Sequence, residues 1–477
     1  MPHWRFPYKI FANKHQPMSQ EISLNTRIIE LGRSIFDGIG SERPSALSRN
    51  FWISKIMQWS MANADFKTNL FRLVDVLPTL KSNRAIVSHL NEYLRTPARG
   101  INQGLGWAVS PSSSSLRGAV TALAVKRGIH EFASLFIAGE NPSSALGALR
   151  RVRADGLCFT IDLLGEFCLS EGEAEEYLAR YIEAIEVLCH RVPAWKESQP
   201  ILAGHPGEQH PVCLSVKLTA LYSQCGPLNF ERSVAVLSER LSEIARAARR
   251  GNALIYVDAE DAANNPIIFE TFMRVFGSPE FRDFPYPGIV VQAYFKNAEA
   301  SIRSLLKLAD TRGAPIALRL VKGAYWDYEQ VVSQQNGTTF PLFTKKESSD
   351  ASFEHLSRLL IDQHELCLPA IASHNIRSLS HACIYAESKG VTPAEFELQM
   401  LYGMAEPIAR TFARRGYLVR LYVPLGDMFV GMGYFVRRLL ENTSNESFLR
   451  HTFFDAKAIS ELLKEPQLHE ETSPYVP

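Results

Sequence analysis

From residue 157 onward the chain repeats one pattern eight times: a short run with strand character, then a longer run with helical spacing. The short runs are LCFTIDLL (157–164), VCLSVKLTAL (212–221), ALIYVDAE (253–260), GIVVQAYF (288–295), PIALRLVKG (315–323), AIASHN (370–375), FELQM (396–400) and LVRLYVPLG (418–426). Alternation with period two belongs to a strand, and apolar spacings of three and four belong to a helix. The helical runs carry their own punctuation. Ser170 with Glu173 three residues on reads as a capping box. Pro266 stands at a first helical position, and a helix beginning near Asn297 stops near Gly313. Others carry Leu237, Leu241 and Ile244, or Phe353, Leu356 and Leu360; shorter ones fall around 376–388 and 405–414, and the last runs from about Asp427 to Glu441. Eight strands each followed by a helix predict an α/β fold, a closed (βα)8 TIM-type barrel. An open doubly wound sheet would carry a Gly-rich phosphate turn after an early strand. The GxG strings at Gly38, Gly104 and Gly431 lack the third glycine and follow no strand.

The preceding residues read differently. SRNFWISKIM places Trp52, Ile53, Ile56 and Met57 on one helical stripe, and NRAIVSHLNEYL does the same with Ile86, Leu90 and Leu94. SPSSSSLRG (110–118) reads as a connector. The expected plan is a helical N-terminal arm and connector over 1–150, the barrel over 151–455, and a tail over 456–477.

Charge excludes one class of function. With 51 basic and 50 acidic side chains, the net charge of +1 gives no global reason to bind nucleic acid. The seven cysteines have no C-x-x-C pair, which points to free thiols in a reducing cytoplasm and away from a structural zinc site. No apolar run is long enough to cross a bilayer. The basic start MPHWRFPYKIFANKHQ is a weak match to a mitochondrial presequence, because Pro2 and Pro7 interrupt an amphipathic helix.

In such barrels the active site lies at the C-terminal ends of the strands. Alternation then sorts the side chains. Ser215 and Lys217 share one face of their strand, Tyr256, Asp258 and Glu260 another, Thr160 and Asp162 a third. Gln292, the pair Glu397 and Gln399, and the pair Arg420 and Tyr422 follow the same logic. A barrel interior is ordinarily Val, Ile and Leu, so this many inward polar groups must pair with each other or with a ligand. The last helix, GMGYFVRRLLEN, sets Arg437 and Arg438 among apolar neighbours. A surface pair of Arg437 with Glu441 would add little; an anion clamp of two guanidinium forks accounts for the placement better.

LRLVKGAYWDYE (318–329), IASHN (371–375), LYVPLGD (421–427) and YFVRRLLENTSNESF (434–448) resemble, in that order, the motifs of the proline dehydrogenase family, above all the dehydrogenase part of bacterial proline utilisation A. LFRLVDVLPTL (70–80) and the strands around Lys217 and Asp258 are similar as well. The resemblance implies a distorted (βα)8 barrel, non-covalent FAD, and oxidation of L-proline to pyrroline-5-carboxylate by hydride transfer. It implies that Arg437 and Arg438 hold the proline carboxylate, steadied by Glu441. Lys217, Tyr325, Tyr422 and Leu320 would line the proline pocket, with Asp258 beside Lys217. Flavin contacts would come from Gln292, Arg319, Val321, Lys322, Gly323, Ala324, Trp326, His374, Asn375 and Gln399. Thr344, Lys345 and Lys346 would reach the pyrophosphate and adenine. There the family pattern is T-R-K then T-D, and this chain has T-K-K then S-D, with lysine a poorer fork than arginine.

The cationic surroundings of the substrate, Lys217, Arg437 and Arg438, would favour the neutral amine that hydride loss requires. The resemblance further implies electrons passed to a membrane quinone, room for peripheral contact with the inner membrane, and a separate pyrroline-carboxylate (glutamate semialdehyde) dehydrogenase as partner. No ribbon-helix-helix module or aldehyde dehydrogenase is expected within the chain. Two rivals stay open on residues alone: a Schiff-base aldolase using Lys217 or Lys322, and a non-catalytic barrel that regulates a partner enzyme.

Overall fold

The computed structural model describes residues 18–40, 82–94, 134–165, 168–195, 204–404, 406–427 and 459–469, with positions 68–69, 72, 76 and 80. Strands β1 (Cys158–Leu163), β2 (Cys213–Val216), β3 (Leu254–Val257), β4 (Gly288–Gln292), β5 (Ile316–Val321), β6 (Cys367–Ala372), β7 (Glu397–Leu401) and β8 (Val419–Leu425) follow one another around a closed barrel. Every neighbouring pair is parallel, and β1 closes on β8 with Thr160 opposite Tyr422. All eight expected strands are present in the expected order.

Their ends differ from the alternation in a useful way. The run 212–221 stops as a strand at Val216, and Leu218–Leu221 forms a 3-10 turn. Thr219 causes the turn: its backbone N–H donates to the Glu260 carboxylate at 3.2 Å and its hydroxyl contacts the same group. Lys217 and Asp258 therefore sit one residue beyond their strands, at the rim.

The helices are α1 (Met18–Gly40), α2 (Asn83–Leu94), α3 (Pro142–Ala154), α4 (Glu171–Arg191), α5 (Pro206–Gln209), α6 (Phe230–Gly251), α7 (Asn265–Phe276), α8 (Ala298–Arg312), α9 (Trp326–Asn336), α10 (Lys346–Asp362), α11 (Ile376–Ser388), α12 (Glu406–Ala413) and α13 (Ile459–Leu462). At α4 the Ser170 hydroxyl accepts from the Glu173 N–H at 3.3 Å, while the Glu173 carboxylate reaches one residue farther back, to Leu169 N–H at 2.6 Å. Pro266 is the second residue of α7, and Gly313 ends α8 with φ 68°. Helix α6 buries Val234, Leu237, Leu241, Ile244 and Ala248 on one face.

Between barrel and helices lies one continuous apolar shell. Inside the barrel the apolar cluster is small: Cys213, Leu254, Tyr256, Ala317, Leu368 and Ala370. Much of the rest of the interior is polar, with Thr160, Asp162, Ser215, Asp258, Gln292, Arg319, Glu397, Gln399 and Arg420 all buried.

The arm reaches the barrel early. Ala138 N–H donates to Pro424 O and Gly426 N–H to Gly139 O, both at 3.0 Å, so the chain is already part of the β8 edge before α3 begins. Helix α1 lies against α11 and α12: Arg415 donates to Ser34 O at 2.8 Å, and Arg377 contacts the Asn25 side chain. Helix α2 stands where expected, with Val87 buried. The stripe at 52–57, the connector at 110–118 and the last helix lie outside the described residues, and with them Arg437, Arg438 and Glu441. All seven cysteines are free.

Candidate active site

Five strands deliver one charged cluster to the C-terminal end of the barrel. Lys217 makes a direct ion pair with Asp162, and its ammonium lies 3.4 Å from the Tyr422 hydroxyl and 3.9 Å from Asp258. Tyr422 donates its hydroxyl to Asp258 Oδ2 at 2.7 Å. Arg319 Nη1 donates to Asp258 Oδ1 and to Ser215 Oγ, each at 2.9 Å. The Arg319 guanidinium stacks 4.1 Å above the Tyr256 ring. That stack requires Gly288, because a Cβ there would stand 2.3 Å from the Tyr256 ring.

Two cations face two carboxylates in this cluster, so its charge is balanced. Burial alone would lower the Lys217 ammonium pKa, but the Asp162 carboxylate overrides it and holds the value well above the usual lysine range. Burial, reinforced by Asp162 and Asp258, pushes the Tyr422 phenol up. An ammonium kept protonated is a poor amine nucleophile, which counts against a Schiff base at Lys217.

Arg319 is 3% exposed, yet its Nε and Nη2 have no hydrogen-bond partner among the described residues. Buried guanidinium N–H groups ordinarily find acceptors. The same strand, β5, runs on into a loop with little side chain. Gly323 has φ 129°, and a Cβ there would lie 2.4 Å from the Tyr294 ring, so only glycine lets backbone and ring approach this closely. A planar, acceptor-rich group such as a flavin ring suits that pairing of free donors with a side-chain-free loop.

The other expected flavin residues are placed as follows. Gln292 donates to Glu260 O at 3.2 Å. Val321 ends β5, and Ala324 and Tyr325 lead into α9. Trp326 donates its indole N–H to Phe343 O at 2.9 Å. Lys322 pairs directly with Asp350, and Lys346 reaches the other Asp350 oxygen at 2.8 Å. Thr344 and Lys345 are exposed before α10. His374 Nε2 accepts from Leu401 N–H at 3.0 Å, and Asn375 caps α11 through Ser378 N–H. Gln399 points toward the opposite end of the barrel, to the Glu397 carboxylate. Leu320 is a correction: the alternation that turns Arg319 inward turns Leu320 out, where it is fully buried in the outer shell.

Sequence reasoning left out of the site Asp162, Ser215 and Tyr256, although it had placed all three inward, and also Asp350. It turned Glu397 and Arg420 inward without pairing them, and missed His205, which joins them in a second cluster at the N-terminal ends of the strands. Arg420 grips Glu397 with Nε and Nη2 at 2.9 and 2.8 Å and donates Nη1 to Phe159 O at 3.1 Å. His205, fully buried, accepts from Gly207 N–H through Nδ1 at 2.9 Å and sets Nε2 3.6 Å from Glu397. Burial would raise the Glu397 carboxyl, but the Arg420 guanidinium holds it at about 2, and burial lowers His205 to about 4. Among the described residues no group of His, Cys, Asp and Glu gathers to hold a metal, and no helix is long and apolar enough to cross a membrane.

A parallel eight-stranded barrel with a charged cluster at the C-terminal strand ends defines a TIM-barrel protein with an enzyme-like site. Comparison with known proteins narrows that class. The proline dehydrogenase family model matches residues 145–451, and that of the proline utilization A N-terminal domain matches 25–136. The chain belongs to the proline dehydrogenase family. It is 31% identical over 339 residues to the bifunctional protein PutA of Klebsiella aerogenes, covering 69% of this chain and 25% of that one. It is 28% identical to proline dehydrogenase 1 of Bacillus subtilis (strain 168), covering 69% of this chain and 93% of that one. A crystal structure of proline utilization A from Bdellovibrio bacteriovorus, inactivated by N-propargylglycine, superposes with a TM-score of 0.85 at 38% identity, over 95% of this chain and 45% of that one. The chain thus spans less than half the length of these PutA relatives.

Proposed function

We propose that the chain oxidises L-proline to pyrroline-5-carboxylate with bound FAD and passes the electrons to a membrane quinone. The observation that carries this reading is Arg319: a buried guanidinium with two nitrogens unanswered among the described residues, on the strand that leads into a glycine loop of a proline dehydrogenase-family barrel. FAD, when bound, supplies the acceptor for the hydride leaving the ring carbon next to nitrogen.

The chain's residues do the rest. Arg319 offers its free N–H groups to the flavin, and Asp258 and Ser215 hold the guanidinium in place. Gln292, Val321, Lys322, Gly323, Ala324, Trp326, His374, Asn375 and Gln399 would border the cofactor, and Thr344, Lys345 and Lys346 its pyrophosphate end. Lys217 with Arg437 and Arg438 would anchor the proline carboxylate, and Glu441 would steady the arginines. Tyr422, fixed by Asp258, and Tyr325 would wall the ring and exclude water. A pyrroline-carboxylate dehydrogenase would consume the product, and peripheral contact with a membrane would bring the quinone within reach.

The test is spectroscopic. Purified protein reconstituted with FAD should be yellow and should bleach on anaerobic addition of L-proline. A soluble quinone should restore the colour and NAD should not. Folded protein that takes up no FAD, or proline-dependent NAD reduction by this chain alone, would defeat the proposal.

A further inference from the structure

Lys217 is fixed at both ends. Its backbone N–H donates to the Tyr181 hydroxyl of α4 at 3.1 Å, and its ammonium contacts Asp162 of β1. The β1–β2 register sets Asp162 opposite Ser215, so a lysine two residues beyond Ser215 reaches back to that carboxylate. Neither other carboxylate nearby can replace it: both Glu260 oxygens are held by Thr219. Asp258 lies 3.9 Å away, and its two oxygens are committed to Arg319 and Tyr422. Asp162 is 1% exposed, so no bulk water substitutes for it. The charged and titratable groups facing the ammonium are Asp162, Tyr181, Asp258, Glu260, Arg319 and Tyr422.

We propose that Asp162 is a positioning residue: by its direct ion pair it keeps Lys217 protonated and aimed at the substrate carboxylate, so that Lys217 is a fixed cation and not the acceptor of the amine proton. An ammonium has three donors and no lone pair, so it can bind a carboxylate and cannot take up a proton. With Asp162 neutralised, Lys217 would be buried beside only preoccupied carboxylates, Asp258 and Glu260, and would shed its proton more readily. The proposal deepens the proline-oxidising reading and rests on it for the substrate, but the state of the lysine can be read without turnover.

The experiment has two arms on the flavin-loaded protein. In the first, reductive methylation at constant mildly alkaline pH is followed by peptide mass spectrometry, with surface lysines as internal standard. Only neutral amines react, so Asp162→Asn should speed labelling of Lys217 about tenfold or more. An unchanged rate overturns the proposal. In the second, kcat/KM for L-proline is measured across pH for wild type, Asp162→Asn, Lys217→Met and the double variant. Asp162→Asn should lose about ten- to a hundredfold at neutral pH, mainly through KM, with the deficit shrinking as pH falls. In the Lys217→Met background it should cost nothing more. Independent, multiplying losses or a pH-independent deficit would overturn it. Should Asp162→Asn not fold, Asp162→Ser serves both arms. A wild type inert toward proline would sink the functional reading and leave the labelling arm standing.

Discussion

The two ends of this barrel both bury ion pairs, and they do so to different effect. At the N-terminal end Arg420 and Glu397 bind through a two-pronged fork, the remaining Arg420 N–H group meets Phe159 O, and the neighbouring His205 is neutral at ordinary pH. At the C-terminal end Arg319 keeps two N–H groups without partners, Lys217 stands at the rim, and three strands supply a carboxylate or phenol to hold them. The Arg420–Glu397 fork answers its own charges and leaves only the neutral His205 Nε2 without a hydrogen bond among the described residues, and such a cluster closes a barrel. A cluster that leaves donors over awaits a ligand.

The largest expected effect breaks the closed end. Glu397→Gln strands the Arg420 charge in the interior and should cost about 3–5 kcal/mol of stability, measured by urea denaturation, while any protein that still folds keeps its flavin. The mirror experiment belongs to the open end. Arg319→Met should lower kcat/KM for proline about 10²–10³-fold, or about 2.7–4 kcal/mol of barrier. Its melting temperature should move little, because Asp258 keeps Tyr422 as a partner. If the two variants exchanged phenotypes, the division between the ends would be wrong.

A pH series sharpens the contrast. His205 titrates near 4 in the folded chain, below its ordinary 6.5. Between those values the unfolded chain binds the extra proton, so stability present above about 6.5 is lost as pH falls toward 4. The loss should be on the order of 2–3 kcal/mol in denaturation curves taken across that window. In His205→Asn, which keeps an acceptor for Gly207 N–H, the slope should flatten. The smallest effect is expected at the rim. Lys346 pairs with Asp350 four residues on at a half-exposed position, so Lys346→Met should change stability by less than about 0.5 kcal/mol. FAD affinity should nonetheless fall severalfold by equilibrium dialysis if this lysine reaches the pyrophosphate.

The barrel was legible because its evidence is local: period two, helical spacing and caps such as Ser170 and Gly313 need no knowledge of neighbours. Alternation also turned Lys217, Asp258, Gln292 and Tyr422 inward correctly. It could not say how deep each would lie. Depth depends on the stagger between adjacent strands, which sets Glu397 and Arg420 at one end and Tyr422, two residues after Arg420, at the other. His205 gave no signal, since a loop histidine before a proline acquires its role only when α5 folds over the strand ends. Leu320 shows the reverse failure: motif likeness placed it in the pocket against the alternation of its own strand.

The most direct test is kcat/KM for L-proline in Lys217→Met at wild-type flavin content, with a melting curve on the same sample. We expect a loss of about a hundredfold or more, carried mainly by KM, in a protein that still folds and holds its flavin although the stranded Asp162 lowers its melting temperature. Unchanged kcat/KM with a sharply lowered melting temperature would make the C-terminal cluster a structural one like its counterpart, and would contradict the account.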